Sequence, residues 1–499
     1  MIGKNEYIGL ALLMTGCLIL AGCKKVETSI NEEPYSTEYE KNSGIYGTYD
    51  DKTSNEPELS SITDIKAPDE NLSDTKEEDA FHEGTIEESN STKTDTPDKN
   101  ACCLRDCVYG YMGSRIGCAV TLDELSDDKV WEIITSHFER VTFGNELKPD
   151  ALVGYSCSTC PGTETVFLNG EELTVPVLDF SRAEKMLDRF YEWNKANPDR
   201  QIRIRGHVLL WHAQTPEWFF HEDYDKSKDY VTSDVMDKRL EWYIKTVLEH
   251  FTGPDSKYNG MFYGWDVVNE AIGDGTGELR TDAENPSESL DLDRHSSNSS
   301  WYHIYQNNEF ILNAFMFANK YAPADLELYY NDYNECSLTK RNGIINLLSS
   351  IKEAEGPPGE GTRIDAFGMQ GHYGMESPSA NDIEASIKLY SKVVDAIQIT
   401  ELDISASPEF DGSETSAKDE NEKLKKRYNL IYYTLTGLNK RNDISITGIT
   451  FWGTTDKYSW LQNRSDIGGG NKNGQKQMPL LFDFDYNAKP CFDVFTKTK

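Results

Sequence analysis

Positive charge is scarce in this chain. Over 499 residues it carries 50 lysines and arginines against 85 aspartates and glutamates, a formal net charge of −35 at pH 7. Phosphate binding is driven by Lys and Arg, so nucleic acid is excluded as a partner. An uncharged polymer such as a polysaccharide is indifferent to that field. Also missing is a strand-linked G-x-G-x-x-G, which leaves a doubly wound, dinucleotide-binding sheet without its phosphate loop. Cysteine is sparse, ten residues in all. The one C-x-x-C, Cys157 to Cys160, has no second C-x-x-C or His pair to complete a zinc site. A local disulfide or free thiols remain, with the pairing open among Cys102, Cys103, Cys107 and the others. No cofactor and no metal are expected.

The apolar run near the N terminus, in "MIGKNEYIGLALLMTGCLILAGC", is about a dozen residues, the length of an export signal and short for a membrane span. It ends in Leu20-Ala21-Gly22-Cys23. That ending resembles the lipobox of bacterial lipoproteins. The resemblance implies a signal peptide over 1–22, a lipidated Cys23, and attachment to the outer face of a cell-envelope membrane without spanning it. An ordinary signal with a chance cysteine is the alternative. Residues 23–101 then read as a disordered acidic linker. Between Lys24 and Asn100 there are 21 acids against 8 bases, few periodic apolar residues and many Ser and Thr. Such a segment stays solvated and is kept extended by its own charge.

From residue 102 to 499 the pattern changes. Short apolar runs ("RIGCAVT", "RVTFGN", "IRIRGHVLLW", "GWDVVNE", "LELYYNDYN", "AFGMQGH", "IQITELDIS", "ITGITFWG") alternate with longer amphipathic ones. In "MDKRLEWYIKTVLEHF", Leu240, Tyr243, Ile244, Val247, Leu248 and Phe251 recur at helical steps. After Lys418, Leu424, Tyr428, Ile431, Leu435 and Leu438 do the same. Roughly eight strands alternating with helices predict one α/β domain, a single (β/α)8 TIM barrel. A hairpin turning at Asn169-Gly170 is expected as an insertion within it.

Two strands carry acids where an apolar strand should not tolerate them: Glu270 after "WDVVN", and Glu401 and Asp403 in "ITELDIS". In a TIM barrel the C-terminal strand ends form the active-site face, so acids there sit in a cleft. Glu270 and Glu401 are three strands apart and are expected to aim at one point. Simple salt bridging to neighbours is the plainer alternative.

Six blocks in order, "RGHVLLWHAQTPEWF", "WDVVNEAI", "YYNDYN", "GMQGHY", "ITELDIS" and "ITFWGTTDKYSWL", resemble the signatures of family 10 glycoside hydrolases, chiefly endo-1,4-β-xylanases, over about residues 104 to 497. The resemblance implies hydrolysis of internal xylosidic bonds in xylan or xylo-oligosaccharides with retention, by a monomer. Retaining glycosidases use two carboxyl groups about 5–5.5 Å apart. By resemblance Glu401 is the nucleophile and Glu270 the acid/base. His372 bonds the nucleophile and is oriented by Asp403, and Asn269 bonds the sugar 2-hydroxyl. Trp211, Trp452 and Trp460 offer faces to sugars. Asn145, Lys148, His207, Gln214 and Gln370 grip them, and Tyr333 stacks beyond the cleavage point. His207 and His212, in one strand, would face opposite sides and do not suggest a metal. One position departs from the family: where members read Glu-Asn-Glu-Met-Lys this chain has "GNELK", so Gly144 replaces an acid that binds the second sugar upstream. Weaker binding there is expected. The alternatives are a retaining endo-β-1,4-glucanase and a non-catalytic, lipid-anchored glycan-binding protein.

Overall fold

The computed structural model describes residues 103–108, 115–154, 158–290, 297–440, 444–464 and 476–496. The export segment, Cys23, the acidic linker, Cys102 and Cys157 lie outside the described residues. Chain order runs β1 (Ile116–Val120), β2 (Arg140–Phe143), the hairpin strands β3 (Thr163–Leu168) and β4 (Glu171–Pro176), then β5 (Arg203–Trp211), β6 (Phe262–Asn269) and β7 (Glu327–Asp332). β8 (Ala366–Met369), the short β9 (His372–Gly374), β10 (Ala396–Ser405) and β11 (Ile446–Phe451) follow. β1, β2, β5, β6, β7, β8, β10 and β11 pair in parallel in that order, and β11 pairs back onto β1. Parallel neighbours need crossover connections, which the helices supply. The result is the closed eight-stranded barrel that the alternation predicts.

Helical periodicity places the outer layer. The helix Ser233–Thr252 buries Leu240, Tyr243, Ile244, Val247, Leu248 and Phe251, the six residues on its apolar stripe. The helix Glu414–Asn439 buries Leu424, Tyr428, Ile431, Leu435 and Leu438 in the same way. Each such side chain contributes about 1.5–3 kcal/mol when fully buried. The strands between them are buried on both faces; all eight residues of β6 are inaccessible. At the N-terminal end of the barrel Arg115 forms a two-pronged ion pair with Glu327, both contacts at 2.6 Å. Charge thus closes the end opposite the mouth.

The inserted hairpin is present and turns at Asn169-Gly170, both with positive φ (51° and 87°), as a two-residue turn requires. Its polar contacts go to the helix Ser233–Thr252, from Asn169 to Glu241 and from Lys238 to Glu171, and to Tyr224, which donates to the Thr174 carbonyl. Among the cysteines, Cys107 is disulfide-bonded, whereas Cys118 and Cys491 are buried thiols. The Cys160 thiol donates to the Gly162 carbonyl at 3.4 Å.

One boundary differs from expectation. Glu401 does not end its strand; β10 continues to Ser405. Its register against β11 slips between Ile399 and Leu402, and Asp403, Ile404 and Ser405 then pair with His372, Tyr373 and Gly374 of β9. β9 supplies a partner above the ring, so the backbone stays extended past the first acid.

Candidate active site

Glu401 is 4% exposed. Its Oε2 lies 3.2 Å from His372 Nε2, and the other ring nitrogen of His372 lies 2.8 Å from Asp403 Oδ1. One imidazole therefore bridges two carboxylates, an arrangement fixed by the pairing of β9 with β10. Burial disfavours an imidazolium, but the charge and hydrogen bond of Asp403 and the hydrogen bond to Glu401 outweigh it and raise the His372 pKa to about 10. For Glu401 burial likewise acts against the charged form. The hydrogen bond from His372, with the charges of His207, His372 and Arg205, brings its pKa down to about 2. Glu401 is an anion at any ordinary pH.

Beneath it lies a second relay. His207 Nδ1 on β5 is 2.8 Å from Asp266 Oδ2 on β6. Arg205 pairs with the same oxygen and donates through Nη2 to the Thr400 carbonyl at 3.0 Å.

Glu270 directly follows β6 in the left-handed region, at φ 57°. A strained backbone at a non-glycine residue persists only where its surroundings impose it. Here its N–H donates to the Asn331 carbonyl at 2.9 Å. The carboxyl accepts from Gln370 Nε2 at 2.8 Å and Asn269 Nδ2 at 3.0 Å on one oxygen, and from Trp211 Nε1 at 3.0 Å on the other. Burial raises its pKa above the usual carboxyl range, opposed by the Gln370 bond and Arg280 and reinforced by the charges of Asp332 and Glu401. The surroundings thus push the two glutamates in opposite directions, Glu401 toward the anion and Glu270 toward the neutral acid.

Asn331 joins them. Its Nδ2 donates to Glu401 Oε1 at 2.8 Å and to Asn269 Oδ1 at 2.9 Å, and Asn269 in turn donates to Glu270. Two amide side chains span the gap between the carboxyls. The β8 residue beside this bridge is Gly368, where a Cβ would lie 2.3 Å from Asn331 Oδ1. Only glycine lets the amide pass.

The other predicted residues gather around this pair. Lys148 Nζ donates to Asn145 Oδ1 at 3.2 Å and Gln214 Oε1 at 2.9 Å, and sits 5.1 Å over the Trp211 ring. Trp452 and Trp460 flank His372, with ring centroids 6.2 and 5.0 Å away. Trp460 also donates through Nε1 to Asp403 Oδ2 at 2.6 Å, so it orients the acid besides presenting a face. Trp211, expected only as a sugar platform, additionally holds Glu270. Tyr333 is 7% exposed, with the Lys340 ammonium 3.4 Å from its ring centroid, which leaves less of it for stacking than expected. His212 lies one residue beyond β5, so strand alternation does not govern it. Burial and the charges of Arg280 and Lys340 push its pKa well down.

Asn331, Asp266, Arg205, Arg280 and Lys340 were not foreseen. Arg205 and His207 stand two apart in one strand, and that alternation places both on one side of the sheet. It was the signal that could have found the relay. Arg280, in a turn ten residues past Glu270, carries none.

Residues 104–498 match the family described as glycosyl hydrolase family 10. The bifunctional endo-1,4-beta-xylanase XylA of Ruminococcus flavefaciens is 31% identical over 397 residues, 79% of this chain and 34% of that protein. The chain thus spans about a third of the length of the first curated relatives it matches. The endo-1,4-beta-xylanase of Geobacillus stearothermophilus is 34% identical over 300 residues, 60% of this chain and 78% of that one. Among solved structures, the Clostridium thermocellum xylanase 10B modules complexed with xylohexaose superpose with a TM-score of 0.61 at 27% identity, covering 79% of this chain and 67% of theirs.

The pKa shifts carry a stability signature. The folded His372 pKa is raised, so its contribution is complete below the ordinary imidazole value and is lost progressively as pH rises through about 10. That of Glu401 is complete above the ordinary carboxyl value and is lost as pH falls through about 2. Asp403→Asn removes the main support of the His372 proton. The gap in melting temperature between native protein and variant should be widest between about pH 5 and 6.5, on the order of a few kcal/mol in stability, and narrow toward pH 10. A gap that is constant with pH contradicts the assignment; melting curves across that range decide it.

Proposed function

The chain belongs to glycosyl hydrolase family 10, and from that membership we propose that it is an endo-1,4-β-xylanase cleaving internal bonds with net retention. The observation that carries the reading is the pair of glutamates joined by one amide network, with surroundings that shift their pKa values in opposite directions. Glu401 is the nucleophile. Held as a carboxylate by His372, it attacks the anomeric carbon, forming a glycosyl ester as the C–O bond to the leaving sugar breaks. Glu270 is the acid/base. Its raised pKa leaves a proton to give to the departing oxygen. Once the ester forms, the negative charge of Glu401 is gone, and with it one of the influences that raised the Glu270 pKa. Glu270, now a carboxylate, takes a proton from water, which attacks the same carbon from the face the first sugar left as the ester bond breaks and Glu401 departs as a carboxylate. Two inversions give retention.

Around the reaction, Asn269 serves the 2-hydroxyl of the sugar whose bond breaks, a contact that strengthens in the transition state. Asn145, Lys148, His207, Gln214 and Gln370 grip the sugars upstream. Trp211, Trp452 and Trp460 supply apolar faces, and Tyr333 meets the downstream sugar with the ring surface that Lys340 leaves. Relatives with xylo-oligosaccharides bound in the same fold support xylan as substrate. All of these groups belong to one chain, so the proposed site is complete without a second copy. We also infer that Cys23 is lipidated and that the acidic segment tethers the barrel to the outer face of a membrane; the lipobox-like "LAGC" supports this.

Four outcomes test these readings. An activated aryl 2-fluoro-xylobioside that traps the glycosyl-enzyme should add the mass of the fluorinated disaccharide to the peptide bearing Glu401, and the native chain should release reducing sugar from xylan far faster than from carboxymethylcellulose. Label on another residue overturns the mechanism, and a preference for carboxymethylcellulose overturns the substrate. Gly144 follows β2, where an added Cβ meets only Thr121 Cγ2 closely, at 3.1 Å, so a longer side chain fits with a small shift. Gly144→Glu should lower KM on short xylo-oligosaccharides by about tenfold, the worth of one charge-assisted bond to a sugar hydroxyl; unchanged KM and product pattern refute the weakened upstream subsite. Cys23→Ala should move the expressed protein from the membrane fraction to the soluble one, and an unchanged distribution rules the anchor out.

A further inference from the structure

A buried cation underlies the leaving-group side of the cleft. Lys340, on the helix Leu338–Glu353, is 0% exposed. An ammonium taken out of water is costly unless its donors are met. Its Nζ lies 2.7 Å from Asp274 Oδ1, 3.0 Å from Asp332 Oδ1 and 3.4 Å from the Tyr333 ring centroid. Two carboxylates and one aromatic face thus meet its three N–H bonds. Asp274 accepts the Tyr333 hydroxyl proton, that hydroxyl accepts from Arg280 Nη2 at 3.1 Å, and Arg280 Nε donates to the Glu270 carbonyl at 3.0 Å. The circuit begins on an outer helix and ends on the backbone of the acid/base.

A second, steric observation points the same way. The turn Ala271–Arg280 folds back on itself, with Arg280 N to the Ala271 carbonyl at 2.8 Å and Gly273 N to the Glu278 carbonyl at 2.9 Å. It is seated flush on the helix. A Cβ at Gly343 would lie 1.8 Å from the Gly277 carbonyl oxygen, and one at Gly277 would lie 2.5 Å from that of Thr339. Glycine on both sides brings the two backbones together, and Lys340 is the charge that fastens them. Without it, Asp274 and Asp332 would lose their shared counter-charge and repel across the joint.

We propose that Lys340 is a positioning residue for the first half of the reaction: by locking the Ala271–Arg280 turn and the Tyr333 ring to the helix Leu338–Glu353, it keeps the Glu270 carboxyl on the path of the departing oxygen. This rests on the reading of Glu270 as the acid. A proton donor displaced by about 1 Å loses on the order of 10²-fold in rate. That loss is felt only when the leaving group needs the proton.

The test compares kcat/KM on two aryl xylobiosides, phenyl, which needs protonation to leave, and 2,4-dinitrophenyl, which does not. Lys340→Met should lower the phenyl value by about 10²-fold and the dinitrophenyl value by less than about threefold. Equal losses on both, or a loss on neither, overturn the proposal. Asp274→Asn, at a partly exposed position, should show the same selectivity at about a tenth of the size, and decides the question if Lys340→Met does not fold. Glu270→Ala is the reference. If it shows no dependence on the leaving group, the acid assignment fails first; if it does and the Lys340 and Asp274 variants do not, only the positioning role fails.

Discussion

A carboxylate held in a nearly dry cleft needs a reason to stay charged, and here the reason is one proton on His372. It makes the ring an imidazolium that donates from Nε2 to Glu401 and from Nδ1 to Asp403, and its loss would leave one of the two carboxylates without a donor. Much of the upper barrel serves this arrangement. β9 exists as a three-residue strand whose register sets His372 beside Asp403. Trp460 occupies the second oxygen of Asp403, fixing which oxygen faces the ring. Below, Arg205 and His207 crowd a single oxygen of Asp266, and the Arg205 charge adds positive potential under Glu401.

Two residues of identical chemistry have their pKa values shifted in opposite directions because their neighbours differ in kind. Glu401 is surrounded by cationic groups, whereas Glu270 receives mainly neutral N–H donors and feels two nearby anions. Asn331 and Asn269 connect them with amides, which fix geometry without adding charge to either. On the proposed mechanism, that neutrality matters. A charged bridge would pull both pKa values in one direction, and the division of labour between acid and nucleophile would be lost.

The architecture was legible because parallel barrels write themselves as alternating apolar runs, and all eight runs became strands. The paired glutamates were legible because an acid in such a run conflicts with its surroundings. Less visible was anything whose meaning depends on a partner far along the chain. Asp266 reads as one more polar residue in "GWDVVNE" until Arg205 and His207 are placed against it. The extension of β10 past Glu401 depends on β9, too short to register as a strand by pattern. Lys340 falls on the buried stripe of its helix, four residues before Ile344 and seven before Leu347, but a lysine there reads as misplaced until its companions Asp274, Asp332 and Tyr333 are set around it.

The ring closes through the contact of β11 with β1, the last stave with the first. Cleft residues come from Asn145 to Trp460, so nearly the whole domain must be threaded and joined before any two of them can cooperate. A chain halted before residue 401 holds Glu270 but not the carboxylate it is paired with. On the proposed mechanism, catalytic competence in such a molecule is an all-or-none report on the integrity of the hoop.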